Sequence, residues 1–284
     1  MTIHTVGVIG AGTMGNGIAQ VCAAAGFQVI MVDINQQALE RALATIDRSL
    51  ERLVQKEKLA DEGKQQALEN IRTSTALSDL ASADLVIEAA SEAEQVKLSL
   101  IRQLDEIVSD KAIIATNTSS ISITRLAAAS SKPERVIGMH FFNPVPVMAL
   151  VELIGGLQTS EATRQAATEF VGAIHKTAIS VRNSAGFAVN RILVPMINEA
   201  VFVLQEGIAS AEDIDLGMRL GCSHPIGPLA LADLIGLDTL LAVMDVFYTS
   251  FNDSKYRPAP LLREMVEAGY LGRKSGQGFY HYPA

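Results

Sequence analysis

The stretch VGVIGAGTMGNGIAQVCAAAGFQVIMVD, residues 6–33, decides the fold of this chain. A short apolar run leads through Gly10-Ala11-Gly12-Thr13-Met14-Gly15 into a helical pattern, and a second apolar run ends at Asp33. Glycines in the pattern GxGxxG allow a tight turn, the close approach of a pyrophosphate and close packing of helix on strand. The stretch therefore predicts a strand–helix–strand unit that binds a dinucleotide.

Asp33 bears on the choice of dinucleotide. It ends the second run roughly twenty residues beyond the glycines, where a carboxylate accepts hydrogen bonds from the adenosine ribose. A ribose 2′-phosphate would be repelled there, and the next residues, Ile34 and Asn35, supply no arginine to reverse the charge. We therefore expect Gly10, Gly12, Gly15 and Asp33 to bind NAD rather than NADP. The alternative is a structural turn followed by an aspartate at a strand end.

Short apolar runs alternate with helical patterns over the following residues. Strands are predicted at 85–87, 112–115, 136–139, 150–154 and 178–181, and helices at 15–25, 36–55, 94–108, 122–128 and 160–175. Alternation of this kind favours a mostly parallel sheet with right-handed crossovers. Residues 36–70 are charged and helical in pattern, with Gly63 as the expected interruption, and predict two antiparallel helices that project from the sheet.

The pattern changes after residues 184–186. Residues 187–205 are apolar on nearly all sides, with Pro195 expected to kink the helix that they form. No further strand is predicted before residues 279–282. We therefore expect an α/β Rossmann-like domain with a projecting helical hairpin over residues 1–185, and an all-α domain over residues 186–284.

Composition excludes several classes of protein. The net charge of −8 disfavours nucleic-acid binding, which needs clustered basic side chains. The two cysteines, Cys22 and Cys222, are far apart, and no spacing of cysteine and histidine suggests a metal site. No uncharged apolar stretch approaches the ~20 residues of a membrane-spanning helix, and we see no secretory signal. We expect a cytoplasmic protein without a metal.

A histidine and a glutamate are candidates for acid–base chemistry. His140 follows one predicted strand, and Glu152 lies in the next apolar run. In open α/β sheets, ligands bind at the carboxyl ends of the strands. A turn at Pro144–Pro146 would bring the two side chains together, and a histidine bonded to a carboxylate can act as base and acid near neutral pH. The alternative for His140 is a purely structural role.

Two further polar side chains are weaker candidates. Ser119 follows the predicted strand 112–115 at the same edge, and Asn190 lies at the start of the helical C-terminal region. Serine after a strand often caps the next helix, so a structural role is the alternative.

Five motifs together resemble the L-3-hydroxyacyl-CoA dehydrogenase family, and within it the bacterial 3-hydroxybutyryl-CoA dehydrogenases. They run in order over nearly the whole chain, and the long motif around His140 is the most specific of them. The motifs are GVIGAGTMGNGIAQ (7–20), ATNTSS (115–120), RVIGMHFFNPVPVMALVE (135–152), NSAGFAVNR (183–191) and GRKSGQGFY (272–280).

The resemblance implies a role for each matching residue. His140 is the general base, Glu152 orients it, and Ser119 and Asn190 bind the reacting oxygen. Asn143 helps to order the site and to bind the substrate. Other implied contacts are Glu92 and Lys97 with NAD, near the nicotinamide, and Ser49 and Lys56 with coenzyme A. For Lys56, a solvated surface lysine is the alternative.

The implied reaction is the reversible, NAD-dependent oxidation of a short-chain (S)-3-hydroxyacyl-CoA to the 3-ketoacyl-CoA. The C-terminal helices carry more apolar surface than a small domain can bury alone, which predicts an obligate apolar interface. The resemblance implies that residues 186–284 form the substrate-binding and dimerisation domain, and that the protein is a homodimer joined through it. One alternative is an L-gulonate or other β-hydroxyacid dehydrogenase with related architecture. A second is a non-catalytic NAD-binding protein of the same fold.

Overall fold

Eight strands of the N-terminal part form one sheet in the computed structural model, which describes residues 2–283. The strands are β1 Thr5–Ile9, β2 Gln28–Val32, β3 Ile71–Ser74, β4 Leu85–Glu88, β5 Ile113–Thr116, β6 Val136–Phe141, β7 Leu150–Gly155 and β8 Thr177–Arg182. Their order is β3-β2-β1-β4-β5-β6-β7-β8. All neighbours are parallel except β6 and β7, which are antiparallel. The predicted mostly parallel sheet is confirmed.

Helices cover both faces of this sheet. They are α1 Thr13–Ala24, α2 Gln36–Val54, α3 Asp61–Glu69, α4 Glu94–Ile107, α5 Ile123–Ala127 and α6 Glu161–Ala173. In β2, Val29 and Met31 pack into one apolar cluster, whereas Ile30 and Val32 pack into another. Successive strand residues point to opposite faces, so a strand buried on both sides is apolar throughout. The sheet is therefore doubly wound.

The helical hairpin is present as α2 and α3. Leu39, Ala42, Ile46 and Leu50 form the buried stripe of α2, at the three- and four-residue spacing of one helix face. The predicted interruption at Gly63 is wrong, because Gly63 lies inside α3. The chain turns instead at residues 55–60, where Glu57 adopts a left-handed conformation with φ 55°. The exposed end of the hairpin is thus this turn.

Residues beyond Ser184 form a second compact unit, and the division falls between Ser184 and Ala185. Its helices are α7 Val189–Gln205, α8 Ala211–Gly221, α9 Pro228–Ile235, α10 Leu237–Phe251 and α11 Pro260–Glu267. They enclose their own apolar cluster, which includes Val201, Leu237 and Phe247. Helix α7 continues through Pro195. The prediction of a helical C-terminal region is confirmed.

The predicted strand at residues 279–282 is wrong. This segment makes only isolated bridges, Gly272 with Gln277 and Gln277 with His281. The backbone amides of Phe279 and Tyr280 donate to the buried Asp233 carboxylate, both at 2.9 Å. A side chain rather than a neighbouring strand therefore accepts the hydrogen bonds of these two amides.

Over residues 2–283, no helix is both long and apolar enough to cross a bilayer. Within the same residues, no group of three or more histidine, cysteine, aspartate or glutamate side chains could hold a metal ion.

Candidate active site

The glycine turn between β1 and α1 is built so that two of its glycines cannot be replaced. Gly10 has φ +99°, and a methyl group there would lie 2.6 Å from the carbonyl oxygen of Ala89. A methyl group on Gly15 would lie 1.8 Å from the Gly10 carbonyl oxygen. On Gly12, by contrast, a methyl group would meet nothing within 4 Å. The first and third glycines thus allow neighbouring backbone to pack closely, and the second leaves open space beside the turn.

The N-terminus of α1 faces this space without a capping side chain, since Gly12 is its N-cap residue. Backbone amides at a helix start bind phosphate groups well, because they are unpaired and carry the positive end of the helix dipole. A cavity of about 310 Å³ lies beside the turn and is lined by Ala11, Gly12, Thr13, Asn16, Asp33, Ala38, Arg41, Ala42 and Thr45. These residues fit the adenosine and pyrophosphate of a dinucleotide.

Asp33 connects the strand β2 to the glycine turn. One of its carboxylate oxygens accepts from the amide of Ala11 at 2.8 Å, and the other accepts from the amide of Asn35 at 2.9 Å. Arg41 of α2 lines the same cavity. Sequence reasoning missed this arginine, because it considered only the two residues that follow Asp33. The cavity therefore holds one carboxylate and one guanidinium.

His140 and Glu152 are brought together as direct partners in the antiparallel pair of β6 and β7. The distance from His140 Nδ1 to Glu152 Oε2 is 2.7 Å. His140 is 6% exposed and Glu152 is completely buried. A buried carboxylate at this distance fixes the orientation of the imidazole and would balance the charge that the ring gains during proton transfer. The pair can therefore move a proton at the edge where β6 ends.

A neighbouring loop is tied to this pair. The amide of Phe141, next to His140, donates to Asn117 Oδ1 at 2.8 Å. Asn117 follows β5, which is parallel to β6 and adjacent to it. Ser119 lies two residues further along the same loop, and it is half-buried. The structure thus places Ser119 and His140 at the same edge of the sheet.

The carboxylate of Glu92 accepts hydrogen bonds from several polar groups of this loop. Its Oε1 atom accepts from the Thr118 hydroxyl at 2.5 Å, the Ser119 amide at 2.9 Å, the Ser120 hydroxyl at 3.1 Å and the Ser119 hydroxyl at 3.3 Å. Partial burial acts to raise the pKa of Glu92, but Lys97 and these donors outweigh it and lower that pKa. Glu92 is therefore an ionised acceptor at neutral pH.

Lys97 is completely buried, in contrast to Glu92. Its Nζ atom lies 2.9 and 2.8 Å from the two carboxylate oxygens of Glu88, which is also completely buried. The same Nζ atom lies 3.6 Å from Glu92 Oε2. Sequence reasoning did not identify Glu88, although a charged residue at the end of the apolar run 85–87 is a signal for it.

Other predicted site residues lie on separate elements. Asn143 is exposed in the loop between β6 and β7, and Ser49 is half-buried on α2. Lys56 is exposed in the turn of the helical hairpin. Asn190 is half-buried in the first turn of α7, in the second unit.

The loop that carries Asn143 is anchored at two points. Lys176 Nζ donates to the carbonyl oxygens of Val145 at 2.7 Å and Met148 at 2.6 Å. Val145 is buried against Gly17 of α1, where an added methyl group would lie 2.8 Å from the valine Cβ. The loop is therefore held between α1 and the start of β8.

Both units match one protein family. Residues 5–184 match the 3-hydroxyacyl-CoA dehydrogenase NAD-binding domain, and residues 186–282 match the C-terminal domain of the same family. The chain belongs to the 3-hydroxyacyl-CoA dehydrogenase family. Its N-terminal unit is accordingly an NAD-binding domain, as the glycine turn and Asp33 predict.

Three individual members of the 3-hydroxyacyl-CoA dehydrogenase family are similar over nearly their whole length. The 3-hydroxybutyryl-CoA dehydrogenase of Bradyrhizobium diazoefficiens is 53% identical, over 99% of this chain and 96% of its own length. That of Clostridioides difficile is 49% identical, over 97% and 98%. The crystal structure of (S)-3-hydroxybutyryl-CoA dehydrogenase from Ralstonia eutropha has a TM-score of 0.98 and 61% identity, with both chains completely covered. The family resemblance drawn from the five motifs is confirmed.

Proposed function

We propose that this chain catalyses the reversible, NAD-dependent oxidation of (S)-3-hydroxybutyryl-CoA to acetoacetyl-CoA. The observation that carries the proposal is the buried pair of His140 and Glu152, with 2.7 Å between Nδ1 and Oε2, at the sheet edge of an NAD-binding domain. Full-length similarity to enzymes named 3-hydroxybutyryl-CoA dehydrogenase supports the four-carbon substrate.

In this mechanism His140 removes the proton of the C3 hydroxyl group. Because Nδ1 is engaged by Glu152, Nε2 is the nitrogen that takes the proton. Glu152 stabilises the imidazolium that forms. NAD, when bound, would supply the acceptor for the hydride that leaves C3, so that the alcohol is oxidised as the cofactor is reduced. In the reverse direction the protonated His140 returns its proton to the C3 oxygen.

Polar groups around the reacting oxygen complete the proposed site. Ser119 and Asn190 hydrogen-bond that oxygen, and Asn143 helps to order the substrate. The Ser119 hydroxyl makes the longest of the four contacts to Glu92 Oε1, so it is the group that turns most readily to a substrate oxygen. Ser49 and Lys56 contact coenzyme A, with the Lys56 ammonium near a phosphate.

We also propose that the protein is a cytoplasmic homodimer joined through the C-terminal unit. Large apolar side chains are exposed there, among them Ile192 at 70%, Ile208 at 67% and Leu220 at 75%. An apolar cavity of about 450 Å³ between α7 and α8 includes Met196, Ile214 and Met218. Large exposed apolar side chains and apolar cavities of this kind are typical of obligate interfaces. Light scattering at micromolar concentration tests this, and a monomer would contradict it.

The substrate is tested by the oxidation of NADH with 3-ketoacyl-CoA thioesters of four to sixteen carbons. We expect the highest kcat/KM with acetoacetyl-CoA, and lower values with NADPH in place of NADH. Oxidation of L-gulonate or free 3-hydroxybutyrate in preference to the thioester would favour the other β-hydroxyacid dehydrogenases. Binding of NADH without turnover of any thioester would favour a non-catalytic protein.

A further inference from the structure

A chain of charges, buried at Glu88 and Lys97 and exposed at Glu92, connects the end of β4 to the loop that carries Ser119. Glu88 and Lys97 are both completely buried and make a bidentate contact, with Nζ–oxygen distances of 2.9 and 2.8 Å. Lys97 Nζ lies 3.6 Å from Glu92, whose Oε1 accepts from the Ser119 amide and hydroxyl. The ammonium of Lys97 thus stands between two carboxylates.

Glu88 and Glu92 together hold residues 116–120, which run from the last residue of β5 into the loop that carries Ser119. Glu88 accepts from the Thr116 hydroxyl at 2.7 Å, and its backbone oxygen accepts from the Asn117 amide at 2.7 Å. Glu92 holds the next three residues of the loop through the contacts described above. Each residue of the loop therefore depends on one of the two glutamates.

The Lys97 ammonium contacts the carboxylates of both glutamates and allows them to lie close together. Two neighbouring carboxylates repel each other, and the ammonium that lies between them offsets this repulsion. The Ser119 amide and the hydroxyls of Thr118, Ser119 and Ser120 all donate to Glu92 Oε1, so their positions follow the position of that carboxylate. Loss of the Lys97 ammonium would therefore disturb the hydrogen bonds that fix Ser119.

We infer that Glu88 and Lys97 are positioning residues, which hold Glu92 and through it place the Ser119 hydroxyl for its contact with the reacting oxygen. The inference rests on the proposed function, because it gives Ser119 a role in that reaction. It differs from the role implied by family resemblance, in which Lys97 contacts NAD. Burial of the whole Lys97 side chain between two carboxylates favours the positioning role.

A double-mutant cycle separates the two roles. We expect Lys97→Met to lower kcat for acetoacetyl-CoA reduction by about tenfold or more, since a small displacement of a reacting group has effects of this size. In a Glu92→Gln background the same substitution should change kcat by less than about twofold, because the residue through which Lys97 acts is already altered. The dissociation constant of NADH, from quenching of its fluorescence, should change by less than about threefold in both backgrounds.

Independent effects of Lys97→Met and Glu92→Gln, with a large rise in the NADH dissociation constant, would overturn the inference and favour direct contact with the cofactor. If Lys97→Met fails to fold, Glu88→Gln combined with Lys97→Met removes both buried charges and takes its place. Arg135→Met is the matched control, because it removes another buried cation of the same unit. It should lower the thermal midpoint without lowering kcat.

A crystal structure of the Lys97→Met variant tests the inference independently of the activity assay. We expect the Ser119 hydroxyl and Glu92 to be displaced from their contact in that structure. An unchanged loop 116–120 would overturn the inference even if the enzyme is active. If the unmodified protein did not reduce acetoacetyl-CoA, the proposed function would be contradicted. The crystal structure of the variant would still show whether Lys97 positions Ser119.

Discussion

His140 and Glu152 face each other across β6 and β7, with 2.7 Å between Nδ1 and Oε2. Twelve residues separate them in the chain, and the antiparallel register makes them direct neighbours. Residues in such a pair have Cβ atoms about 4.5–5.5 Å apart, so the strand pairing fixes the distance that the two side chains must span. The geometry of the proposed acid–base pair is therefore a property of strand register.

Replacement of Glu152 by glutamine tests what its charge contributes. We expect kcat for acetoacetyl-CoA reduction to fall by about 10- to 100-fold, because the amide cannot stabilise the imidazolium. The NADH dissociation constant should stay unchanged. Glu161→Gln, an exposed glutamate on α6, is the control and should retain full activity. Equal activity of the Glu152 variant and the control would argue against the pair.

Asp33 and Arg41 line the cavity beside the glycine turn, and their charges predict how substitutions change the cofactor preference. In Asp33→Asn, the repulsion of a 2′-phosphate is removed while Arg41 remains in the same cavity. We expect kcat/KM for NADPH relative to NADH to rise by about tenfold, the effect of ~1.4 kcal/mol. Adding Arg41→Ala should abolish that gain. An equal gain without Arg41 would show that the arginine does not face the phosphate.

Asp105, which is half-buried, and the buried Arg135 form an ion pair, with 2.7 Å between Oδ1 and Nη2. Burial acts to raise the pKa of Asp105, but hydrogen bonds from Ser130, Ser131 and Arg135 outweigh it and hold that pKa well below its usual value. A lowered pKa means that the stabilisation is present above the pKa of the unfolded chain, and is lost as pH falls through the lower folded value.

Asp105→Asn should therefore lower the free energy of unfolding by about 3 kcal/mol at neutral pH, since it leaves Arg135 buried without its counter-charge. Urea denaturation at a series of pH values measures this. The difference between variant and unmodified protein should narrow below about pH 4, the range in which an unfolded aspartate is protonated. A difference independent of pH would contradict the assigned ion pair.

The two cysteines should differ in reactivity. Burial raises the pKa of the Cys22 thiol to about 12, an effect that Lys176 only partly offsets, whereas Cys222 is exposed. Because the thiolate is the reactive form, we expect a thiol reagent at pH 8 to modify one cysteine in the native protein and both after denaturation. In Cys222→Ser the rapid native reaction should disappear. Rapid modification of both thiols would show that α1 opens readily.

Sequence patterns predicted the elements that depend on local periodicity. The glycine turn, the buried strands and the helices α2 and α4 follow from apolar spacing, because each buries a stripe or a face that the sequence displays. The edge strand β3 was missed. Its residues, Ile71 to Ser74, include a single apolar side chain, and an edge strand with one neighbour needs no continuous apolar run.

Contacts that depend on tertiary structure were harder to predict. The sequence predicted that the hairpin is interrupted at Gly63. The chain turns instead at Glu57, whose left-handed conformation has no strong sequence signal. Residues 279–282 resemble a strand in composition, yet their amides bind the Asp233 carboxylate from α9. The pairing of Glu88 with Lys97 was missed because a buried ion pair joins two elements whose contact the sequence does not reveal.

The most direct test of the proposed mechanism is kcat of the His140→Ala variant for acetoacetyl-CoA reduction, with the NADH dissociation constant measured on the same preparation. We predict that kcat falls at least about 100-fold, the lower end of what general acid–base catalysis contributes, while NADH binding is retained. A variant that binds NADH and turns over as fast as the unmodified enzyme would contradict the assignment of His140 as the proton acceptor.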